Sequence, residues 1–312
     1  MANSIIFGPI NSRRFGASLG IDLSPDSKQC NFDCLYCELA PNATVSSQSK
    51  SVGVKEIISE LSHRLNEDID VITLTANGEP TLYPYLDELI DEIDKIKNKT
   101  QTLILTNSAT LVDEAVFKSL LKLDQVKLSL DAVSADVFKK IDRPHKDIDV
   151  SKVVERAVAF SKEYKGKLFI EILFVFELND TKEEVQKLNE VLKRIECERV
   201  DLGTIDRPPA YPVMGISYKE LRDISLAFDS ALPIHIASRA HAEPNNARYS
   251  DADILNTLDK RPLTLDDVDL LFDEESKIRL DALIKNGEIV KKTVLNLEFL
   301  VPKNNEKRKL KK

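Results

Sequence analysis

The 312-residue chain carries 44 Lys and Arg against 52 Asp and Glu, a net charge of −8, with 42% hydrophobic and 31% charged residues. That balance argues against a general nucleic-acid binder, whose footprint is basic, and no apolar run reaches the roughly 18 residues that a membrane span needs. The length suits one large domain, or a core domain with an appendage.

The first residues, MANSIIFGPINSRRFG, lack the basic-then-apolar layout of a signal peptide. The expected location is therefore cytoplasmic, with no membrane partner, where thiols stay reduced and clustered cysteines serve as ligands rather than cross-links. From Ser18 to Arg207 short β-like runs alternate with helical patterns. The runs are SLGIDL, VITLT (71–75), TLILT (102–106), QVKLSL (125–130), KLFIEILFVF (167–176) and RVDLGT (199–204). Their consecutive apolar positions predict strands covered on both faces. Between them, Val54, Ile57, Ile58, Leu61 and Leu65 follow helical spacing. So do Leu86, Leu89, Ile90, Ile93 and Ile96, and Val185, Leu188, Val191, Leu192 and Ile195. Asn179-Asp-Thr-Lys-Glu-Glu supplies a cap and an acidic first turn for the last of these. Repeated strand–helix alternation predicts parallel strands with right-handed crossovers, either a partial βα barrel or a doubly wound sheet. Both gather chemistry at the carboxyl ends of the strands.

After Arg207 come three prolines, a helical stretch near 218–227 and the short run PIHIAS. The expected division is a core over 1–240, a linker over 241–258, a winged-helix-like unit over 259–303 and a basic disordered tail over 304–312. In the third part, two short helices, an Asn-Gly turn and a terminal strand pair carry the reading. Its second helix, with Glu274, Glu275 and Asp281, is poorly suited to reading DNA.

Three of the four cysteines lie in Cys30-Asn-Phe-Asp-Cys34-Leu-Tyr-Cys37. A structural zinc site is closed by four ligands. Three thiolates on one loop can instead hold three corners of a [4Fe–4S] cube and leave the fourth iron for something else. Cys197, far away in IECERV, reads as a half-buried structural thiol. The alternatives are a zinc knuckle completed by a distant histidine, or three incidental thiols. None of His63, His145, His235 and His241 is near the cysteines in sequence.

The spacing CxxxCxxC, with the aromatic Tyr36 directly before the third cysteine, resembles the signature of the radical S-adenosylmethionine (SAM) superfamily. The resemblance implies an α/β fold, a partial (β/α)6 barrel of radical SAM type, here followed by the small winged-helix-like unit. It also implies a [4Fe–4S] cluster on Cys30, Cys34 and Cys37, with SAM at the open iron. Ala76-Asn77-Gly78-Glu79-Pro80 resembles the superfamily segment whose backbone and carboxylate hold the cofactor's amino group, with Asn77 in place of a glycine. Glycine lets backbone approach a ligand closely, and Glu79 can accept a charge-assisted bond from an ammonium. By the same resemblance Asn107, Ser129 and Asp131, at strand ends, contact the cofactor's carboxylate or ribose. For Asn107 and Asp131 the structural alternative is helix capping.

FGPINSRRFGASLGIDL, NGEPTL, SLDAVSADVFKKIDRPH and FELNDTKEE resemble the tRNA wyosine-base (4-demethylwyosine) synthase group and its bacterial relatives, over about Phe7 to Arg207. That group carries further cysteines upstream and a pyruvate-binding lysine; no cysteine precedes Cys30, and no lysine is assigned here. Arg13, Arg14, Arg143 and Arg207 are candidates for binding a phosphate or carboxylate. The expected activity is reductive cleavage of SAM and abstraction of a substrate hydrogen, with an electron donor such as flavodoxin or ferredoxin. The substrate is undetermined, with tRNA one candidate. The competing expectation is a non-catalytic iron–sulfur or zinc protein that binds DNA or a partner through its C-terminal unit.

Overall fold

The computed structural model describes residues 5–12, 15–66, 68–236, 248–260, 262–294 and 297–303. In chain order its elements are β1 (Ile6–Ser12), β2 (Gly16–Asp22), α1 (Val54–Arg64), β3 (Val71–Thr75), α2 (Leu86–Ile96), β4 (Gln101–Thr106), α3 (Glu114–Leu120), β5 (Gln125–Ser129), α4 (Ala135–Ile141) and α5 (Val150–Glu163). There follow β6 (Lys167–Phe174), α6 (Lys182–Leu192), β7 (Arg199–Thr204), α7 (Tyr218–Ser225) and β8 (Ile234–Ile236). The chain closes with α8 (Asp251–Lys260), α9 (Leu265–Leu271), α10 (Glu274–Lys285), β9 (Ile289–Val294) and β10 (Leu297–Pro302).

Strands β1 to β8 lie side by side in sequential order. The β1–β2 pair is antiparallel and every later pair is parallel. A doubly wound sheet reverses its strand order at a switch point; this sheet never does, so the partial barrel is the architecture formed. Among the described residues β1 and β8 are not paired with each other, which leaves the barrel open. The six expected runs are β2 to β7. PIHIAS adds the short β8, and FGPINS, not expected as a strand, is β1.

Strand register separates two faces. Leu19, Ile21, Ile72, Leu74, Ile104, Val126, Leu128, Ile170, Ile172, Val200 and Leu202 are buried on the face toward the helices. Against them pack Val54, Ile57 and Leu61 of α1, Leu89, Ile90 and Ile93 of α2, and Val185, Leu188 and Leu192 of α6. Thr181 caps α6 as expected, accepting from the Glu184 N–H. The inner face departs from the expectation of strands apolar on both sides. Near the amino ends it is closed by Phe169, whose ring meets Phe15 edge-on at 5.2 Å and carries the Arg199 guanidinium at 4.8 Å. Toward the carboxyl ends polar groups predominate: Thr73, Thr75, Lys127, Ser129, Glu171, Asp201 and His235 share it by register, with Leu105 and Leu173 between them.

The expected linker, 241–258, is corrected in its described part. Residues 251–260 form α8, and Tyr249, Ile254 and Leu258 are buried in a second core with Leu263, Phe272, Leu280 and Leu300. Helices α8 to α10 and the β9–β10 hairpin, with Leu263 bridged to Leu300, make the winged-helix-like unit. Sequence reading missed its first helix because, among the described side chains of DADILNTLDK, Ile254 and Leu258 are the only fully buried apolar positions. The unit is seated on β1: Ile10 joins its core, the Tyr249 hydroxyl donates to the Pro9 carbonyl, and Arg64 pairs with Asp253 at 3.3 Å. The tail 304–312 lies outside the described residues.

Candidate metal centre

The cysteine loop leaves the carboxyl end of β2, where a parallel sheet collects chemistry. Its entry is fixed by Gln29, which forms an isolated parallel bridge with Gly78 from the loop after β3. The Gln29 N–H donates to Asn77 O at 2.8 Å, and Glu79 N–H donates to Gln29 O at 3.0 Å. Gly78 has φ +134°, and a Cβ there would fall 2.0 Å from Gln29 O. Glycine is required on both counts. The Gln29 side chain is buried and bonds Ser24, Lys50 O, Ser49 N and Lys50 N, so it pins the segment leading to α1 as well.

The turn after α4 grips the loop from outside, first through backbone bonds. Leu35 N–H donates to Ile141 O at 2.8 Å, Asp33 N–H to Asp142 O at 3.1 Å, and His145 N–H to Asn31 O at 2.7 Å. Arg143 turns this corner with φ 47°. Buried Asp33 is neutralised by Lys28 at 3.2 Å, Arg143 at 3.4 Å and the Tyr211 hydroxyl. Ala210 N–H donates to Cys37 O, and Arg207 pairs with Glu38 at 2.7 Å. Arg143 and Arg207 thus brace the loop; Arg13 and Arg14 lie outside the described residues. His145, distant in sequence, comes beside the loop in space, but its ring faces Asp147 at 3.3 Å.

The three thiols are free and half-buried. Burial pushes each of them up, Cys30 to about 12 with Glu79 adding to the effect, and Cys34 well above the usual thiol range with Asp142 adding. Such thiols stay protonated unless a strong positive charge arrives, as metal does, and metal binding then releases their protons. Two donors already aim at Cys30 Sγ: the Phe32 N–H at 3.4 Å and the Asn107 amide at 3.8 Å.

Of the expected cofactor residues, Glu79, Asn107, Asp131 and Tyr36 lie beside Cys30 or Cys34. Glu79 is fully buried, and its Oε1 accepts from Thr81 N at 3.0 Å, Thr81 Oγ1 at 2.5 Å and Thr106 Oγ1 at 2.6 Å. Its Oε2 accepts from Asn107 N at 2.8 Å. Burial raises its pKa despite these bonds, so the carboxylate is held rigidly and gains from a further cation. Asn107 bridges to Asn31 Oδ1 at 2.6 Å and also accepts from Ala109 N, so it caps the following turn while facing the loop. Asp131 does not cap α4; Glu184 takes the Val133 and Ser134 N–H groups there instead. Asp131 accepts from Leu173 N at 2.6 Å and from the Tyr36 hydroxyl, and burial raises its pKa. Ser129 sits half-buried on the inner face beside Glu171. Asn77 spends its amide on Pro25 O at 3.3 Å and its N–H on Asp22 Oδ1.

Several residues at the site escaped sequence reading. Asp142 is buried with its Oδ1 3.5 Å from both Cys34 Sγ and the Tyr36 hydroxyl. Asn179, fully buried, accepts from Val175 N and donates to Asp131 O and Leu173 O, tying the end of β6 to the site. The donor set suits an iron–sulfur cluster: three thiols on one loop, carboxylates that need a cation beside them, and a glycine cradle next to the first cysteine.

A family model for the radical SAM superfamily matches residues 25–191. A UPF0026 protein of Helicobacter pylori (strain J99) is 38% identical over 299 residues, spanning 95% of this chain and 96% of that protein. A probable GTP 3′,8-cyclase of Methanococcus aeolicus is 31% identical over 189 residues, 59% of this chain and 60% of that one. Among solved structures, TYW1 with a lysine–pyruvate adduct bound superposes with TM-score 0.53 at 19% identity, covering 72% of this chain and 76% of that one, a likeness of fold. Four of the similar curated proteins carry the UPF0026 name, and the wyosine group is not confirmed by them. Superfamily members use a [4Fe–4S] cluster and SAM, and these are the cofactors of this chain. The chain belongs to the radical SAM superfamily and, within it, to the UPF0026 proteins.

Proposed function

We propose that this protein cleaves SAM reductively and turns the resulting radical on a polar substrate held against the inner face of the barrel. Cys30, Cys34 and Cys37 would hold the [4Fe–4S] cluster, beside which SAM would bind. When bound, the cluster supplies the single electron that breaks the sulfur–carbon bond, giving methionine and a 5′-deoxyadenosyl radical. The chain's part is to hold and orient. Glu79, fixed by four hydrogen bonds, receives the cofactor's ammonium. Asn107, Ser129 and Asp131 meet its carboxylate and ribose side, and Tyr36, steadied by Asp131, walls the site. The observation that carries this reading is the joining of Glu79 to the Cys30 thiol through Asn107, which donates to both. A non-catalytic iron–sulfur or zinc protein has no need of that network.

Substrate class follows from the inner face. Ser129, Glu171, Asp201 and His235 lie on one register row across β5 to β8. Lys127 pairs with Glu171, and Asp201 holds Arg199 at 2.8 Å and His235 at 3.1 Å. Paired charges on the inner face of the open barrel favour a substrate rich in hydrogen-bonding groups. A purine base is such a substrate, and a wyosine-type base of tRNA is the narrower form of the proposal. The cytoplasm supplies the reduced environment it requires.

Two outcomes test this. The reconstituted protein with SAM and dithionite forms 5′-deoxyadenosine and methionine; a reconstituted, brown protein that forms neither contradicts the proposal. The double substitution Lys127→Met with Glu171→Gln, which removes both charges together, leaves that cleavage within about twofold. Cells carrying it nonetheless reproduce the metabolite or modified-nucleoside difference seen on deletion. Wild-type behaviour of that variant in cells removes the inner row from the substrate site.

A further inference from the structure

The polar row inside the barrel ends on a histidine held from behind. Asp201, its side chain 1% exposed, stands on β7 directly across from His235 on β8. Asp201 Oδ1 accepts from Arg199 Nε at 2.8 Å and Oδ2 from Arg199 Nη2 at 3.3 Å, and that guanidinium lies over the Phe169 ring. The carboxylate is thus anchored through both oxygens. His235 Nδ1 lies 3.1 Å from Asp201 Oδ1. A carboxylate paired with arginine accepts, so Nδ1 carries the hydrogen, and in the neutral ring Nε2 keeps its lone pair. Half of the His235 side chain is accessible, and Nε2 has no partner among the described residues. A histidine that only tied β7 to β8 would gain by covering that second nitrogen with a partner. The row also adjoins the cofactor residues: Ser129 stands two positions before Asp131, and Lys127 and Glu171 lie within electrostatic reach of the Asp131 carboxyl. Lys127 and Glu171 are committed to each other, which leaves His235 as the titratable group with a nitrogen to offer.

Loss of a hydrogen atom from a carbon makes an O–H or N–H on that carbon far more acidic, and a base facing the group then takes its proton. We propose that His235 is a catalytic base, its Nε2 accepting the proton of a substrate hydroxyl or amino group carried by the carbon that loses hydrogen. Asp201 and Arg199 are positioning residues behind it. This role rests on reductive cleavage of SAM taking place at the cluster. The hydrogen atom goes to the 5′-deoxyadenosyl radical, the proton goes to Nε2, and the unpaired electron stays on the substrate. Asp201 stabilises the imidazolium so formed. The substrate class is one with hydroxyl- or amino-bearing carbons, as in sugars and nucleosides.

The test begins with the tautomer. Proton–nitrogen correlation NMR on the oxidised, reconstituted protein labelled at histidine, with the His235 signals assigned by their absence in His235→Gln, shows the hydrogen on Nδ1. A neutral ring with its hydrogen on Nε2 overturns the proposal. Turnover is then followed with SAM, dithionite, and small-molecule and tRNA extracts of cells lacking the protein. Product is read as the compound that wild-type cells contain and deletion cells lack. With His235→Gln, product falls about a hundredfold or more, and the 5′-deoxyadenosine made per product rises about tenfold or more, because abstraction outlives proton transfer. With His235→Ala, added imidazole restores product. Product from His235→Gln within about threefold of wild type overturns the proposal. So does an equal loss of 5′-deoxyadenosine and product that imidazole does not relieve, which assigns His235 to structure. A wild-type protein that forms no 5′-deoxyadenosine overturns the cleavage reading and this role with it, a result distinct from a wild type that cleaves and a variant that matches it.

Discussion

Cys34→Ala purifies, after anaerobic reconstitution, as a folded protein that holds no stable cluster and forms no 5′-deoxyadenosine. The thiol at this position lies among Asp142, Asp131 and the other two cysteines, and burial with those neighbours keeps it neutral until iron arrives. Removing it leaves two thiols for a cube that needs three protein corners. No other cysteine can substitute, because Cys197 lies in the turn between α6 and β7. The loop itself survives, since Asp33, Leu35 and Asn31 hold it by backbone bonds to the turn after α4. Iron and sulfide content, visible absorption and far-ultraviolet circular dichroism check this. A variant that still binds four irons and cleaves SAM at more than about a hundredth of the wild-type rate, roughly 2.7 kcal/mol in barrier, contradicts the ligand assignment.

Gly78→Ala has the second large effect, on stability and on the cluster together. Its φ of +134° is a region that residues with a Cβ avoid, and the added carbon would meet Gln29 O at 2.0 Å and Gln29 C at 2.4 Å. Both obstacles are backbone, so relief comes only by moving the chain one residue before Cys30. That movement breaks the Gln29–Gly78 bridge and strains the Gln29 side-chain bonds to Ser24, Ser49 and Lys50. The expected cost is about 3 kcal/mol, a fall of roughly 5 °C or more in the unfolding midpoint. Iron content drops in parallel. Thermal unfolding with and without reconstitution measures both; full stability with full iron would mean that the chain does not make this close approach.

How far the sequence could be read depended on whether the signal was local. The three cysteines, Glu79 and the six central strands all announce themselves within a few residues, and each strand run coincides with β2 to β7. The inner polar row was equally visible as alternation: Thr73 and Thr75 in VITLT, Lys127 and Ser129 in QVKLS, Glu171 in KLFIEILF, and Asp201 in RVDLGT each fall on every second position. Reading those runs as apolar on both faces hid it. Asp142 and Gln29 carried no comparable signal. Each owes its place to contacts across long separations, Asp142 to Cys34 and Gln29 to Gly78, which only the folded chain brings about. Asn107 illustrates a third case: its side-chain oxygen accepts from Ala109 N in the turn ahead of the next helical segment while its amide nitrogen faces Cys30, so one residue makes both contacts.

Pulsed EPR on the reduced, reconstituted protein with SAM labelled at the methionine amino nitrogen and carboxylate oxygen reaches the central claim directly. The account predicts hyperfine coupling from both labels, reporting an iron to which no side chain is bound and which the methionine end chelates. A cluster whose spectrum ignores SAM, with neither label coupled, would contradict it.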